Sequence, residues 1–260
     1  MSIRVAVLGA NGRMGRAVVR LAHEGGMKVV AAIGAADVGR DAGELAGVGA
    51  LGIVVDANVD TIAHANADIV VDFSAPAALS KVCGVCAKAK IALVSGTTGL
   101  AEEAKAALAD AALSTAVIWE PNMSVGIHVL ASLVAKAAAA LGDDYDVEVS
   151  ETHHRMKVDA PSGTAIRLGD VVKNARDGSS YVHGREGRPG PRKKAEIGMH
   201  AMRGGDVIGD HTVFFFGDGD RIELTHRASS RDLFARGALR CAQWLAGKPA
   251  GRYSIDDVLA

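Results

Sequence analysis

Short apolar runs alternate with helical stretches in the first half of the chain. Five such runs span residues 3–9, 27–34, 67–74, 91–96 and 116–122, and most of them contain stretches such as Val-Val or Val-Ala-Val instead of a strict alternation of apolar and polar positions. Continuous apolar strands indicate a sheet that is covered on both faces. With helices between the strands, the pattern predicts a doubly wound, mainly parallel α/β sheet with right-handed crossovers.

The pattern changes after Asn122. A long apolar helix is predicted over residues 124–141 and a strand over 145–153, and a helix at 162–175 precedes strands at 196–203, 207–217 and 221–229. Turns at Gly204-Gly205 and Gly217–Asp220 join the last three strands, so we expect these strands to pair antiparallel. The segment therefore predicts a second domain of α+β type with a mixed or antiparallel sheet.

These two patterns divide the chain into two domains. We expect the first over residues 1–123, completed by residues 231–260, because the final predicted helix packs back on it. We expect the second over residues 124–230. A basic loop at 184–194 lies within it and is interpreted either as a solvated connection or as a mobile segment that closes over an anionic ligand.

The composition of the chain limits which classes of binding partner we expect. Apolar residues make up 49% of the chain, charged residues 23%, and the formal net charge is −1, which gives no drive toward nucleic acid or an anionic membrane. The first residues show neither a signal peptide nor an apolar run of about 20 residues, so we expect a cytoplasmic protein with no membrane partner. Cys83 and Cys86 lie in one predicted helix and Cys241 in another, and we interpret them as buried thiols because no second pair supplies metal ligands.

A glycine-rich turn follows the first strand directly. It reads Gly9-Ala10-Asn11-Gly12-Arg13-Met14-Gly15 and leads into a helix. Glycines let the backbone approach a pyrophosphate, and the helix start favours its negative charge. The motif therefore predicts that the first domain is a dinucleotide-binding domain of the Rossmann type, although a tight turn without a ligand has the same spacing.

Two further segments are expected at the same edge of this sheet. Gly96, Thr97 and Thr98 follow the fourth predicted strand and suit the second ribose or the nicotinamide, or else simply begin a helix. Glu120, Pro121, Asn122 and Met123 follow the fifth, where Asn122 either contacts the carboxamide or caps the next helix. The second strand ends in Gly34, where an acid usually selects the unphosphorylated ribose, and Asp37 lies three residues beyond it. Arg13 and Arg16 either serve a 2′-phosphate or are solvated helix residues.

The segment ETHHRMKVDAPSGT, residues 151–164, concentrates proton-carrying groups before a turn of small residues. An imidazole exchanges protons near neutral pH, and a shielded lysine either donates a proton or stays a cation that faces carboxylates. Ser162, Gly163 and Thr164 begin a predicted helix, whose free amides and hydroxyls can hold a carboxylate. The segment therefore suits a small, acidic, nitrogen-containing substrate.

The segment has two other interpretations. One is a metal held by His153 and His154 with Glu151 or Asp159, but neighbours on a strand point to opposite faces, so we expect no metal. The other is that both histidines are ordinary surface polar residues. Two other functions of the whole chain are considered as alternatives. A nucleotide-sensing binding protein would have no use for the histidines, the lysine and the Ser-Gly-Thr turn, and an aspartate or homoserine-type dehydrogenase would require a different substrate motif.

Seven motifs in order through nearly the whole chain carry a resemblance to one family. They are VLGANGRMGR, DFSAP, SGTTG, PNMSVG, E-x-HHRMKVDAPSGTA, RGGDVIGDHTV and LTHRASSR. The chain resembles the 4-hydroxy-tetrahydrodipicolinate reductases of bacterial diaminopimelate and lysine biosynthesis. The resemblance implies hydride transfer from NADH or NADPH to a cyclic dicarboxylate imine, with release of water and tetrahydrodipicolinate.

The resemblance also assigns residue roles. It implies that His153 is the acid/base, that Lys157 is a proton donor, and that His154, Gly163 and Thr164 contact the substrate. It places the nucleotide contacts on residues 9–14, 96–98 and 120–123, and it implies a homotetramer. The family often has a Glu-Arg pair at positions that here hold Gly34 and Ala35, so the resemblance gives no preference between NADH and NADPH. It often has an aromatic residue where this chain has Met123.

Overall fold

The computed structural model describes residues 2–260. Its residues form two compact units, one built from the chain up to Ser124 together with Asp232–Ala260, the other from Val125–Arg231.

The first unit contains a seven-stranded parallel sheet in the order β12-β6-β5-β4-β1-β2-β3. Its strands are β1 (Arg4–Leu8), β2 (Lys28–Ile33), β3 (Val55–Asp56), β4 (Ile69–Asp72), β5 (Ala92–Ser95), β6 (Ala116–Trp119) and β12 (Gly251–Tyr253). Its helices are α1 (Arg13–Glu24), α2 (Ala42–Ala46), α3 (Pro76–Ala89), α4 (Glu102–Ala112), α7 (Asp232–Leu245) and α8 (Ile255–Leu259), with a 3₁₀ turn at Val59–His64. The predicted doubly wound parallel sheet is confirmed.

Alternate residues of the strands supply the two apolar clusters of this unit. In β1, Val5 and Val7 belong to a cluster with α1 and α7, and Ala6 and Leu8 belong to a second cluster with α3 and α4. All four are essentially inaccessible to solvent. Both faces of the sheet are therefore covered, which explains why the strand sequences are continuously apolar.

The second unit contains a mixed five-stranded sheet in the order β11-β10-β7-β9-β8. Its strands are β7 (Asp146–His153), β8 (Ser180–His183), β9 (Glu196–Arg203), β10 (Gly209–Phe216) and β11 (Arg221–Ala228), and its helices are α5 (Val125–Leu141) and α6 (Gly163–Ala175), with a 3₁₀ turn at Gly142–Asp144. Val147 and Val149 of β7 pack in one cluster with α5 and α6. The chain from Val125 to Asp144 is long and apolar enough to cross a membrane by length and composition alone, but the core helices of soluble proteins pass the same test.

One sequence expectation about this sheet is wrong. The Gly204-Gly205 turn was expected to join two antiparallel neighbours, but β9 and β10 lie on opposite sides of β7. β9 runs parallel to β7 and to β8, whereas β10 pairs antiparallel with β7 and with β11. The reason is that the turn continues along the end of β7, where Gly204 N donates to His153 O at 2.9 Å. The Gly217–Asp220 turn does join antiparallel neighbours, as expected.

Candidate active site

β7 brings two titratable side chains to the face that the helices cover. Side chains alternate along a strand, so Glu151 and His153 continue the row that begins with Val147 and Val149. Glu151 is 1% exposed and His153 9% exposed. The same alternation points Glu148 to the other face of the sheet.

The Glu151 carboxylate accepts hydrogen bonds from three residues. Arg203 donates from Nη1 and Nη2, each at 2.8 Å, and the Ser162 amide donates at 3.0 Å. His153 Nδ1 lies 2.5 Å from Glu151 Oε2. Burial alone would raise the pKa of Glu151, but the hydrogen bonds from Arg203, His153 and Ser162 outweigh it and hold the pKa below its ordinary value. Glu151 is therefore an anion, which fixes the proton of neutral His153 on Nδ1 and leaves Nε2 to exchange protons.

The environment of His153 holds its pKa below the ordinary value. Burial is the main cause, Glu151 opposes it, and the charges of Lys157 and Arg203 add to the lowering. His211 of β10 packs edge-on against this ring, with centroids 5.1 Å apart and planes at 77°. Burial also lowers the pKa of His211, to about 4, so that its ring is neutral at physiological pH.

Ser162 begins α6 as its N-cap residue. Its Oγ accepts from the Ala165 amide at 3.2 Å and lies 3.2 Å from His211 Nε2. The hydroxyl therefore has a structural task within the site. Gly163 is exposed and Thr164 half-buried in the first turn of α6, the part of a helix that attracts anions.

The residues after β7 form a turn. His154 is half-buried, and its carbonyl accepts from the Lys157 amide at 3.1 Å. The Lys157 ammonium contacts both carboxylate oxygens of Asp159, at 2.8 and 2.9 Å, and its side chain is 20% exposed. Within residues 2–260, no group of three or more His, Cys, Asp or Glu side chains is arranged to hold a metal ion.

Glu151, Arg203 and His211 have roles in this site that the sequence does not predict. The spacing of Glu151 and His153 on one strand was a usable signal, since residues two apart share a face. Arg203 and His211 come from other strands, opposite His153 and Glu151 respectively, and only the strand register reveals them.

The glycine turn after β1 is closely packed. Gly9 has a left-handed backbone, φ 77°, and a side chain there would come within 2.5 Å of the Phe73 carbonyl oxygen. A side chain on Gly15 would come within 2.7 Å of Ala10 Cα. Gly12 is the N-cap residue of α1 and Arg13 its first, exposed residue. These glycines therefore bring the start of α1 against the end of β1, as a pyrophosphate-binding turn requires.

Asn11, Gly12 and Gly34 line a cavity of about 320 Å³ in this unit. A side chain on Gly34 would lie closer than 3 Å to the Asn11 side-chain oxygen and 3.1 Å from Val55 Cγ1. Ala10 is buried, with its amide donating to Ile33 O at 2.9 Å, and Met14 packs against the first apolar cluster. The cavity is thus bounded by the glycine turn and by the end of β2.

The second turn is built on a buried acid, Asp72. Its Oδ2 accepts from Ser95 Oγ at 2.6 Å and from Thr97 Oγ1 at 2.8 Å, and its Oδ1 accepts from the Ser74 amide at 2.9 Å. The Thr97 hydroxyl is therefore committed to the protein, whereas Thr98 is exposed. Gly96 packs against Phe73, because a side chain there would lie within 2.9 Å of that ring.

The third segment lies beside this turn. The Glu120 amide donates to Ser95 O at 3.1 Å, Pro121 is exposed, and Asn122 Oδ1 accepts from the Ser124 amide at 2.9 Å. Met123 is 1% exposed and packs in the first apolar cluster. Its thioether is therefore a core group in this structure, so Met123 offers only its backbone to a ligand.

The basic loop is held against the open face of the second sheet. Arg185 contacts Glu148 through both terminal nitrogens at 2.9 Å, and Arg192 contacts Asp146 at 2.7 Å and Glu148 at 3.0 Å. These ion pairs give the arginines partners within the protein. If the basic loop is a connection between elements, these ion pairs account for its arginines without an anionic ligand.

Comparison with known proteins identifies the family. The family model described as "Dihydrodipicolinate reductase, N-terminus" matches residues 3–123, and that described as "Dihydrodipicolinate reductase, C-terminus" matches residues 126–259. The chain belongs to the dihydrodipicolinate reductase family. A 4-hydroxy-tetrahydrodipicolinate reductase of Anaeromyxobacter sp. (strain Fw109-5) is 50% identical over 99% of this chain and 97% of its own length. One from Acinetobacter baumannii is 44% identical over 98% and 96%.

Solved structures agree with this assignment. Dipicolinate-bound dihydrodipicolinate reductase from Paenisporosarcina sp. TG-14 superposes with a TM-score of 0.78 at 25% identity and covers 98% of both chains. Aspartate dehydrogenase from Thermotoga maritima has a TM-score of 0.51 at 12% identity and shares the fold alone. The chain is therefore an NAD(P)H-dependent oxidoreductase that reduces 4-hydroxy-tetrahydrodipicolinate in lysine and diaminopimelate biosynthesis, as the sequence predicted.

Proposed function

We propose that His153 exchanges the proton of this reduction through Nε2, and that Glu151 positions it. NADH or NADPH supplies the hydride, which adds to a carbon of the substrate ring after water has left. The neighbouring ring atom must then take up one proton, and a protonated His153 gives it. The observation that carries this proposal is the 2.5 Å contact between His153 Nδ1 and Glu151, because it leaves Nε2 as the exchanging atom.

The substrate carboxylates need cations and amides. We propose that Gly163 and Thr164 at the start of α6 bind one carboxylate, and that Lys157 and His154 bind around the other. Asp159 holds the Lys157 ammonium in place at 2.8 Å until the substrate arrives. Lys157 then acts as a charge partner and as the proton donor to the departing hydroxyl, and it takes back the proton that the neighbouring ring carbon loses in the same elimination. Ser162 supports this site through its bonds to Ala165 and His211 instead of contacting substrate directly.

The nucleotide contacts are proposed for three segments of the first unit. Residues 9–15 suit the pyrophosphate and Gly34 the adenosine ribose, because both line or border the cavity described above. Thr97 and Met123 contribute through their backbones, since their side chains are committed to Asp72 and to the core. Gly96, Thr98, Glu120, Pro121 and Asn122 complete the nicotinamide end.

Substitution of the two titratable residues tests their roles. His153→Gln and Lys157→Ala should each lower turnover by orders of magnitude while NADH binding persists, measured by nicotinamide absorbance and by nucleotide fluorescence. Wild-type turnover in either variant would show that the role assigned to that residue is wrong.

A second pair of variants separates positioning from folding. Glu151→Gln removes a negative charge beside His153, so the pKa of His153 falls and the basic limb of the pH–rate profile moves to lower pH. Glu148→Gln is the matched control, because Glu148 is on the same strand and also contacts arginines and a histidine, His200 at 2.6 Å, but on the opposite face. Equal shifts in both variants would contradict the positioning role.

We further propose that the chain is a cytoplasmic homotetramer whose second domain, residues 124–230, binds substrate and mediates assembly. The face of the second sheet opposite the helices carries stacked Phe214 and Phe216, with ring centroids 5.7 Å apart, and Met202, which is 53% exposed. A second copy of the chain is the natural partner for such a face. Three free cysteines suit a reducing compartment.

Light scattering tests this assembly. Phe214→Glu should reduce the mass from four chains toward a smaller species. Leu113→Glu is the control, because Leu113 is 81% exposed on the first unit and plays no part in the proposed face. A wild-type protein that scatters as a single chain would refute the tetramer.

A further inference from the structure

The loop after β2 holds one carboxylate between two guanidinium groups. Asp37 Oδ2 lies 3.0 Å from Arg16 Nη2, and its Oδ1 lies 3.2 Å from Arg40 Nη1. The Asp37 backbone is left-handed, φ 56°, and its carbonyl accepts from the Arg40 amide at 3.0 Å. The two cations and the anion therefore form one defined cluster.

Arg16 links this cluster to the nucleotide cavity. Its Nε donates to the carbonyl of Asn11 at 2.9 Å, and Asn11 lines the cavity together with Gly34 and Ala35. Neither Gly34 nor Ala35 brings a charge to that wall. No residue that lines the cavity is charged, and the cluster is joined to the cavity wall through the Asn11 carbonyl.

We propose that Asp37 sets the preference between NADH and NADPH by opposing a 2′-phosphate. The inference rests on the proposed cofactor site and extends it to a residue outside the glycine turn. Arg16 and Arg40 suit a phosphate on the adenosine ribose, as paired guanidinium groups do. Asp37 offsets one of their two positive charges and repels a second anion. Removal of its charge therefore favours NADPH and leaves NADH nearly unaffected.

The loop keeps its shape without the Asp37 charge. The Gly39 amide donates to Val55 O and the Val55 amide to Arg40 O, both at 2.9 Å. Asp41 accepts from four further backbone amides of the following segment. Asparagine tolerates a left-handed backbone about as well as aspartate does, so Asp37→Asn changes the charge with little change in fold.

Binding of two small nucleotides to the full-length protein tests the proposal without turnover. Titration calorimetry with adenosine 2′,5′-bisphosphate and with 5′-AMP gives a ratio of dissociation constants for each variant. Asp37→Asn should lower the dissociation constant of the bisphosphate about tenfold, or about 1.4 kcal/mol, and should change that of 5′-AMP less than about threefold. The gain should shrink at high salt, because exposed charges are screened.

Asp232→Asn is the matched control. Asp232 lies 2.8 Å from Arg20, which is on helix α1 like Arg16 but one turn further from the glycines. The side chain of Asp232 is 31% exposed, against 25% for Asp37. This variant should leave the ratio unchanged. Arg16→Gln in the Asp37→Asn background should abolish the gain.

Two results would overturn the proposal. The first is an unchanged ratio in Asp37→Asn, whether neither affinity changes or both change equally, and the second is an equal change of the ratio in the Asp232→Asn control. If neither nucleotide binds the wild-type protein, the proposed cofactor site fails together with this inference. If both bind and only the ratio stays constant, the cofactor site stands and the role of Asp37 alone fails.

Discussion

Replacement of Gly15 by alanine is expected to destabilise the first unit, against the usual trend for helix glycines. Alanine normally stabilises a helix interior by up to about 1 kcal/mol relative to glycine. At Gly15, however, the new Cβ would lie 2.6 Å from the Gly9 carbonyl carbon and 2.7 Å from Ala10 Cα, and closer still to the Gly9 carbonyl oxygen. These atoms belong to the backbone and cannot rotate away. Overpacking of this kind costs about 1–3 kcal/mol or more, so we expect a net loss of about 2 kcal/mol.

Two other glycines calibrate this prediction. A Cβ on Gly84, in the middle of α3, meets nothing within 4 Å, so Gly84→Ala should stabilise the unit by about 0.5–1 kcal/mol. A Cβ on Gly12 meets a single atom, the Gly9 carbonyl oxygen at 3.2 Å. The change in stability for Gly12→Ala should therefore fall between those for Gly15→Ala and Gly84→Ala, and part of it comes from the poorer helix cap that alanine makes.

Urea unfolding followed by tryptophan fluorescence is the assay. Both tryptophans, Trp119 and Trp244, belong to the first unit, so the signal reports on that unit. NADH titration of the same variants should show weaker binding for Gly15→Ala, because the turn must shift to admit the methyl group. Equal stability changes in Gly15→Ala and Gly84→Ala would refute the packing argument, and so would unchanged NADH affinity in a destabilised Gly15→Ala.

Three further predictions concern other parts of the molecule. The wild-type enzyme should discriminate less than about tenfold between NADH and NADPH, and Gly34→Glu should favour NADH in steady-state kinetics with some loss of affinity, because the Asn11 side chain must move. Because the pKa of His211 is lowered to about 4 from the ordinary 6.5, the free energy of unfolding should fall as pH drops from 6.5 to 4. His211→Asn should reduce that fall by up to about 3 kcal/mol in urea melts followed by circular dichroism. Burial raises the pKa of all three cysteine thiols, so none should react with a disulfide reagent before unfolding.

The glycine turn and the long strands could be read from the sequence because their signals are local. Continuous apolar runs predict buried parallel strands, and Gly9, Gly12 and Gly15 follow the first of them directly. The short strands β3, β8 and β12 have only two to four residues each and were not predicted. β4, β5 and β6 are also only four residues long, but each begins with at least three apolar residues in succession. The sequences VD, SYVH and GRY contain no such run, so only the pairing with neighbouring strands defines β3, β8 and β12.

The hydroxyl of Thr97 shows a different limit of prediction from the sequence. Its type and position suit a ribose, which the sequence can suggest. Its actual partner is the buried carboxylate of Asp72, which comes from the neighbouring strand β4 and also binds Ser95. A buried charge requires hydrogen-bond donors, so the protein recruits the hydroxyl for itself. Only the pairing of β4 with β5 reveals that competition.

The wrong strand pairing and the missed part of the catalytic cluster have one physical cause. Because β9 runs parallel to β7, its last residue, Arg203, lies opposite His153 and reaches Glu151 with two hydrogen bonds. If β9 had instead formed a hairpin with β10, as its turn suggests, Arg203 would have left this position. Glu151 would then have been a buried anion without its main counter-ion, which costs about 3–5 kcal/mol. The parallel insertion of β9 therefore stabilises the carboxylate that orients His153, and a local turn signal contains no information about it.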